Sequence, residues 1–243
     1  MILVLGETYD SLLGLRALLG TSKSEPSLIL DLPALSGEAF GEPIVCATIG
    51  PSNYTSILCA ERAIERYHPD AVFYLGESAS LSPRLRLGDI VVGNRLFFHG
   101  VNFLQLGMPY GAIPGFEPHF FSDLSLAREA ESLGLEMPDL RVLRGDILSG
   151  EKKIVDQEEF ASILLRRYAN SAHLLCYDLG SAGIGFVCKD KGIPFLPLKS
   201  ITYLPSEGEE GLMKERRISL RENAVAARLL FSLLRVRKGG LHE

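Results

Sequence analysis

The chain has 243 residues, of which 47% are hydrophobic and 23% are charged, and its formal net charge is −5. This composition is ordinary for a globular protein with a sizeable core. The acidic balance argues against nucleic acid and against an anionic membrane surface as partners, because both favour a basic face. The N-terminal apolar run is short and no window approaches the roughly 20 apolar residues of a membrane span. We therefore expect neither a signal peptide nor a transmembrane helix.

The four cysteines lie in apolar segments and lack the spacing of a metal site. We expect reduced thiols in the core of a cytoplasmic protein. These residues are Cys46, Cys59, Cys176 and Cys188.

The first third of the chain alternates between strand and helix patterns. "MILVLG" is typical of a buried strand, and "SLLGLRALL" follows with helical spacing. "SLILDLPAL" and "PIVCATIG" are candidate strands, "NYTSILCAERAIERY" is an amphipathic helix, and "HPDAVFYLG" begins the next strand. Nearly continuous apolar strands separated by helices predict a mostly parallel sheet covered on both faces.

The middle of the chain continues the alternation around one long loop. "LRLGDIVVGNRLFFHG" predicts a turn and a strand, and "VNFLQLGMPYGAIPGFEPHFF" fits neither helix nor strand. "SDLSLAREAESLG" predicts a helix with Ser122 or Asp123 as N-cap. "LRVLRGDILSG" predicts a strand, and "DQEEFASILLRRY" an amphipathic helix.

The last third contains a segment that is unusually rich in small residues. "SAHLLCYD" predicts a strand, and residues 180–185 after it are nearly all small. This pattern indicates either close helix packing or a ligand that approaches the backbone, and the sequence leaves both open. "IPFLPLKSIT" predicts the last strand, and "SLRENAVAARLLFSLLRV" a closing helix with Ser219 and Glu222 as a capping box. Without a repeat or linker, residues 1–243 are predicted to form one α/β domain.

Several common motifs are missing from the sequence. No GxGxxG follows the first strand, and neither a P-loop nor an HExxH motif is present, so we expect no cofactor and no metal. Two loops at strand ends remain as candidate sites, because their backbone amides can meet an anion or a hydroxyl group. They contain Ile49 and Gly50 in "CATIGPSNY", and Gly76, Glu77, Ser78 and Ala79 in "YLGESASL".

An ordered set of segments carries a family resemblance. It runs from "IGPSNY" through "HPDAVFYLGESASL" and "LGDIVVGN" to "FFHG", and continues with "GMPYGAIPG", "ILSGEKKI", "CYDLGSAGIGFVC" and "LPLKSITYL". The chain resembles the nucleoside phosphorylase superfamily over nearly its whole length, and most closely the bacterial methylthioadenosine/S-adenosylhomocysteine nucleosidases. The resemblance implies a three-layer α/β/α sandwich with a mixed, mostly parallel sheet, and a homodimer. It also implies cleavage of the N-glycosidic bond of a small-molecule nucleoside that lies across the strand ends.

The chain departs from the family at the catalytic positions that the resemblance implies. Tyr203 stands where the family has the aspartate that protonates the purine. Ser11 stands where it has the glutamate that activates water, and Glu7 and Asp10 are close in sequence. These four residues are the predicted catalytic candidates.

The substrate-binding positions implied by the resemblance are also altered. Gly180 replaces the glutamate that holds the ribose, although Asp178 keeps an earlier acidic position. Lys153 replaces an aromatic residue that stacks on the base, and Thr202 precedes Tyr203. Leu106 and Leu179 occupy apolar positions near the sugar or its 5′ substituent.

Three functions remain open from the sequence. The first is a divergent nucleosidase that acts on a methylthioadenosine-, adenosylhomocysteine- or futalosine-like purine nucleoside. The second is a family member without catalysis that binds a nucleoside or serves assembly. The third is a phosphorylase, which the acidic Glu77 disfavours because phosphate binding needs a cation at the site.

Overall fold

The computed structural model describes residues 1–154, 157–163, 168 and 173–239. Its strands are β1 Ile2–Gly6, β2 Lys23–Glu25, β3 Ala34–Ala39, β4 Glu42–Thr48, β5 Ala71–Ser80, β6 Ile90–Phe98, β7 Phe120–Phe121, β8 Val142–Ser149, β9 Leu174–Asp178 and β10 Phe195–Tyr203. Its α-helices are α1 Tyr9–Leu18, α2 Asn53–Tyr67, α3 Leu124–Glu136, α4 Gln157–Ser162, α5 Ser181–Lys191 and α6 Gly208–Gly239, with short 3-10 helices at Leu104–Leu106 and Pro205–Glu207. Among these described residues, no helix combines the length and apolarity needed to cross a bilayer.

All ten strands belong to one mixed sheet. The strand order is β10-β6-β8-β9-β5-β1-β4-β3-β2, with β7 beside β6. The longest pairings, β5 with β10 and β6 with β8, are parallel, as are those of β1 with β4 and β5. The sheet also closes on itself, because the long strand β5 pairs with β10 over most of its length and with β9 at Ala79 and Ser80. The predicted mixed, mostly parallel sheet is therefore confirmed.

Helices cover both faces of the sheet. Side chains of β1 alternate between two cores, because Leu3 and Leu5 face α2 and α5 whereas Val4 faces α1, α3 and α6. Both cores are built mainly from fully buried aliphatic residues. The three-layer α/β/α arrangement is confirmed, and it places the carboxyl ends of β1, β5, β9 and β10 near one another.

Two predicted elements were wrong. The apolar run "SLILDLPAL" is not a strand before Ala34: it forms a turn in which Leu28 and Ile29 are buried against the core. Its apolar pattern reflects this packing, and Arg62 of α2 fixes the turn by donating to the Leu28 carbonyl at 2.9 Å. The predicted capping box at Ser219 and Glu222 lies inside α6, which begins at Gly208. A capping pattern read from sequence does not distinguish a helix start from a helix interior.

Other predicted boundaries agree with the structure. Helix α3 begins after Asp123, whose carboxylate accepts from the Leu126 amide at 2.9 Å, so Asp123 rather than Ser122 is the N-cap. The predicted helix "DQEEFASILLRRY" is present as α4 over Gln157–Ser162, and its residues 156 and 164–167 lie outside the described residues. The four cysteines are buried free thiols.

Candidate active site

A small cavity of about 40 Å³ opens at the carboxyl ends of β1, β5 and β9. Ligands of open α/β sheets bind at such strand ends. One side comes from the β1–α1 loop and the end of β5, and the other from the loop after β8 and the end of β9. The lining residues are Glu7, Glu77, Ser78, Ala79, Lys153, Ile154, Tyr177, Asp178 and Leu179.

A fully buried lysine stands beneath this cavity. Lys199 of β10 is 0% exposed, and its Nζ lies 3.1 Å from Oε2 of Glu7 and 3.3 Å from Oδ2 of Asp178. The same ammonium lies 4.0 Å from the centre of the Tyr74 ring, a cation–π distance. Burial opposes protonation of Lys199, but the two carboxylates prevail and raise its pKa. The lysine is therefore a fixed positive charge between two acids.

The carboxylate of Asp178 is committed to holding the local structure. Its Oδ1 accepts from the amides of Gly180 and Ser181 and from the hydroxyl of Ser149. Its Oδ2 accepts from the Ser181 hydroxyl and forms an ion pair with Lys199. Four hydrogen bonds match the roughly four lone-pair sites of a carboxylate, and the ion pair adds to them. Asp178 thus fixes the start of α5 to Lys199 and has little capacity left for a ligand.

Glu7 is arranged differently. Its Oε2 accepts from Lys199 at 3.1 Å and from the Tyr74 hydroxyl at 3.4 Å, and within the described part of the chain no donor reaches Oε1. Burial raises the pKa of Glu7 to about 7, because desolvation and the nearby Glu77 and Asp178 outweigh the attraction of Lys199. A carboxyl group with this pKa changes protonation near neutral pH, as a general base must. Glu7 is therefore the candidate base of the cavity.

Glycines make room for this charged cluster. A Cβ on Gly76 would lie 2.7 Å from the Lys199 ammonium and 2.9 Å from the Cβ of Glu7. A Cβ on Gly180 would lie 2.5 Å from the Ser56 hydroxyl and 2.7 Å from the Tyr74 hydroxyl. The small-residue segment therefore packs closely, since Gly183 and Gly185 of α5 also contact other elements. The approach of a ligand to its backbone stays a prediction.

The structure does not bring all the predicted catalytic residues to the cavity. Ser11 is fully buried and forms a capping box with Thr8 at the start of α1, and Asp10 lies on the first turn of that helix. Tyr203 is also fully buried and does not line the cavity; its hydroxyl donates to the Gly208 carbonyl at 3.2 Å. Of the four candidates, Glu7 alone lines the cavity, and the catalytic roles of all four remain predictions.

The predicted binding residues divide in the same way. Lining the cavity are Glu77, Ser78, Ala79, Lys153, Asp178 and Leu179. Thr202 is buried beside Tyr203, and Leu106 is 70% exposed on a 3-10 helix away from the lining residues. Ile49 is a core residue, and the amide of Gly50 donates to the Glu7 carbonyl at 3.0 Å. Gly50 therefore helps to position Glu7, and contact of Gly50 with a ligand stays a prediction.

The N-terminus of α2, where the sequence predicted a polar partner, receives a carboxylate of the same chain. Glu151 accepts from the Ser52 hydroxyl at 2.6 Å and from the Asn53 amide at 2.9 Å. Carboxylates are stabilised at helix N-termini by the unpaired amides and the helix dipole. The anion at this helix end is thus part of the fold.

Sequence reasoning missed Lys199, Tyr74, Ser149 and Ser181, which complete the cluster. A signal for Lys199 was present, because it is the one charged residue within the apolar strand "FLPLKSIT". Fully buried lysines are rare unless they are paired. Tyr74 and the two serines carry no comparable signal, since aromatic and small residues are common at buried positions.

Comparison with known proteins places the chain in a family. A family profile described as the Phosphorylase superfamily matches residues 15–235. The chain belongs to this superfamily. A 5′-methylthioadenosine/S-adenosylhomocysteine nucleosidase of Tolumonas auensis is 26% identical over 181 residues, which span 72% of this chain and 77% of that protein. A nucleosidase of the same name from Anoxybacillus flavithermus is 25% identical over 167 residues, or 69% and 70% of the two chains.

Solved structures of the superfamily share the fold. The Neisseria meningitidis 5′-methylthioadenosine/S-adenosylhomocysteine nucleosidase, crystallised with methylthio-immucillin-A, superposes with a TM-score of 0.85 at 20% identity and covers 95% of this chain and 98% of its own. The futalosine hydrolase of Helicobacter pylori gives a TM-score of 0.86 at 21% identity, with 96% of each chain covered. This superfamily member thus shares its fold with a nucleosidase and with a hydrolase.

A second, larger cavity lies at the carboxyl ends of β5 and β10, next to the first. It measures about 690 Å³ and begins one residue beyond the first cavity on β5, at Ser80, and one residue beyond Tyr203 on β10, at Leu204. Its lining is largely apolar and includes Leu85 and Phe160.

Among the described residues, no group of histidine, cysteine and acidic side chains is arranged to hold a metal ion.

Proposed function

We propose that the protein is a nucleosidase that hydrolyses the N-glycosidic bond of a purine-type nucleoside, with Glu7 as the base that activates water. The observation that carries the proposal is the position of Glu7. Its carboxyl lines the cavity, is held on one oxygen by Lys199 and Tyr74, and has a pKa of about 7. The named relatives, which are nucleosidases, support the class of reaction.

The geometry supports the following chemistry. Ionised Glu7 accepts a proton from water through Oε1 while the water oxygen attacks the sugar carbon of the glycosidic bond. That bond breaks with its electron pair going to the nucleobase, and positive charge develops on the sugar. The carboxylates of Glu77 and Asp178 line the cavity and stabilise this charge. The proton taken up by Glu7 then passes through solvent to the departing nucleobase, so one water is consumed and Glu7 is regenerated. Lys199 is buried below them and keeps Glu7 in place.

We assign the departing nucleobase to the side of the cavity that lies nearest to Tyr203. The backbone of Tyr203 pairs across β10 and β5 with Ala79, which lines the cavity. A phenol is a weak acid, so Tyr203 serves the leaving group as a hydrogen-bond donor once it releases the Gly208 carbonyl. The substrate class is a methylthioadenosine-, adenosylhomocysteine- or futalosine-like purine nucleoside, with Lys153 and Leu179 among its contacts.

Water is the proposed nucleophile rather than phosphate. Three acidic side chains line the cavity together with one lysine, the exposed Lys153, and the buried cation Lys199 is already paired with two of the acids. A phosphate dianion would have to approach these carboxylates at close range in a site of reduced dielectric, where like charges repel strongly. This distribution of charge favours hydrolysis over phosphorolysis.

A binding module without catalysis is the second candidate. It is favoured by the position of Tyr203, which points to Gly208 and does not line the cavity. Such a module would bind a nucleoside without breaking it.

An assay for release of the free nucleobase from a panel of nucleosides distinguishes the nucleosidase from the binding module. The panel contains methylthioadenosine, adenosylhomocysteine, futalosine, inosine and adenosine, each with and without phosphate. We expect base release that does not require phosphate and that Glu7→Gln lowers by about 10²–10⁴-fold. Glu65→Gln, an exposed change on α2, is the matched control. Stabilisation by a nucleoside without any turnover would establish the binding module instead.

We further propose that the protein acts as a cytoplasmic homodimer. Exposed large apolar side chains support a second copy as partner, since contiguous apolar surface on a soluble chain commonly marks an interface. Several of them fall on α2 and on the loop after β6: Tyr54, Leu58, Phe103, Leu104 and Leu106.

A further inference from the structure

The loop after β8 is fastened to its surroundings at three points. Glu151 accepts from the Ser52 hydroxyl and the Asn53 amide at the start of α2. The Asn53 side chain donates to the Gly150 carbonyl at 3.1 Å, and the Tyr177 hydroxyl donates to the Lys152 carbonyl at 2.8 Å. These contacts fix the direction in which the loop leaves the strand.

The residues that follow these contacts close the cavity. Lys153 and Ile154 form part of its lining, and Ile154 is 1% exposed in a core cluster that includes Tyr177. The cavity measures about 40 Å³, whereas pockets for small organic ligands have volumes of roughly 300–1,000 Å³. This cavity is therefore too small to enclose a nucleoside as it stands, and a nucleoside enclosed around Glu7 requires part of this lining to move.

The hydrogen bonds that hold the loop differ in how easily they can break. Asn53 is 4% exposed and is held from two sides, because its Oδ1 also accepts from the Gly183 amide at 3.0 Å. Glu151, by contrast, is exposed, and water can replace its contacts to Ser52 and Asn53. The Asn53 contact to Gly150 thus forms a fixed base for the loop. The residues beyond Gly150 are held by the Glu151 contacts and by the hydrogen bond from the Tyr177 hydroxyl to the Lys152 carbonyl, and of these the exposed Glu151 contacts can break first.

We propose that residues 151–154 form a gate over the cavity and that Glu151, bound to the first turn of α2, is the latch that holds this gate closed. When Glu151 leaves α2, the Tyr177 contact to the Lys152 carbonyl must also break and Ile154 must leave its core cluster; the gate then turns about Gly150 and carries Lys153 and Ile154 away from the cavity. The latch depends on the negative charge of Glu151, because the helix dipole and two donors attract it. The nature of the molecule admitted rests on the proposed function, whereas the latch does not.

Amide hydrogen exchange of the full chain without ligand tests the latch. We expect Glu151→Ala to speed exchange in peptides that cover residues 151–154 by about tenfold, as loss of charge-assisted hydrogen bonds implies. Glu151→Gln, which keeps an acceptor but loses the charge, should give a smaller increase. Glu136→Ala, an exposed change on α3, should leave these peptides unchanged. Unchanged exchange at 151–154 in both Glu151 variants would overturn the proposal.

The rate of nucleoside entry tests the gate. Formycin A, a fluorescent nucleoside whose glycosidic bond resists hydrolysis, is the probe in stopped-flow measurements. We expect it to associate several-fold faster with Glu151→Ala than with the wild type, while an equal rate would show that the gate does not control access. If formycin A binds neither protein, the proposed function fails, and the exchange measurement still decides the latch.

Discussion

At the scale of single residues, the properties of the site follow from two acids paired with one buried lysine and a third acid, Glu77, near Glu7. Lys199 neutralises part of this charge, and Asp178 is satisfied by four further donors. The remaining imbalance falls on Glu7, whose pKa rises to about 7 because burial disfavours its charged form. Glu7 is thus suited to act as the catalytic base of the proposed reaction because Lys199 neutralises only part of the buried negative charge.

This imbalance predicts how stability depends on pH. The pKa of Glu7 is about 7 in the folded chain against an ordinary value of 4.5, so the folded state holds an extra proton between these values. The stabilisation by Glu7 is complete below the ordinary pKa and is lost as pH rises through 7. The loss is on the order of 3 kcal/mol in the free energy of unfolding.

Urea denaturation at pH 4.5 and pH 8 measures this loss. Glu7→Gln cannot titrate, so its free energy of unfolding should fall less than that of the wild type over the same range. Equal changes in the two proteins would show that Glu7 has an ordinary pKa.

Removal of the buried cation gives a second residue-scale prediction. Lys199→Met leaves Glu7 and Asp178 without their shared partner, and loss of one member of a buried ion pair costs about 3–5 kcal/mol. Lys191→Met is the control, because Lys191 and Glu61 form an ion pair at the surface, where solvent screening leaves such pairs little effect on stability. Denaturant unfolding measures both, and similar costs for the two variants would contradict the role of Lys199.

At the scale of elements, the site depends on close contact between the start of α5 and the strand β5. Gly180 precedes α5, and its Cα faces the hydroxyls of Ser56 and Tyr74. Since Tyr74 donates to Glu7, a side chain at position 180 would disturb the candidate base through Tyr74.

Gly180→Ala tests this contact. The added methyl group overlaps both hydroxyls, and overpacking of this kind costs about 1–3 kcal/mol. In Gly20→Ala the new Cβ would lie 3.9 Å from its nearest neighbour, the Glu38 carbonyl, so we expect a change within about 0.5 kcal/mol. Thermal unfolding of the two variants provides the comparison, and an equally stable Gly180→Ala would show that the contact is loose.

The elements were predicted from the sequence more completely than the site. Apolar periodicity predicted α2 and β10 because burial on one face or on both imposes a regular spacing. It failed at "SLILDLPAL", where an apolar turn packs into the core, and it did not predict that β5 would meet β9 and close the sheet. Such long-range pairings depend on how the layers pack, which spacing along the chain does not encode.

The site was predicted only in part for a related reason. The ungapped match to the family pointed to Ser11, but the capping of α1 by Thr8 turns Ser11 away into the fold, and Glu7 reaches the cavity instead. A shift of four residues at a strand end is invisible in a comparison of residue types. Lys199 could have been found from its charge within an apolar strand.

At the scale of the whole molecule, the proposed homodimer gives a direct prediction. Light scattering coupled to gel filtration should return about twice the chain mass of 26.6 kDa. Leu104→Glu, on the loop after β6, should shift the protein toward the monomer, whereas Leu135→Glu, on the exposed face of α3, should not. A wild-type monomer at micromolar concentration would contradict the homodimer.

The account as a whole depends on Glu7 acting as a base on water, and the pH dependence of base release measures this most directly. For the best substrate of the panel, kcat/KM of the wild type should fall tenfold per pH unit below about pH 7, because protonated Glu7 cannot accept a proton. The residual activity of Glu7→Gln should lack this fall. A wild-type rate that stays constant from pH 8 to pH 5, or a Glu7→Gln variant with full activity, would contradict the account.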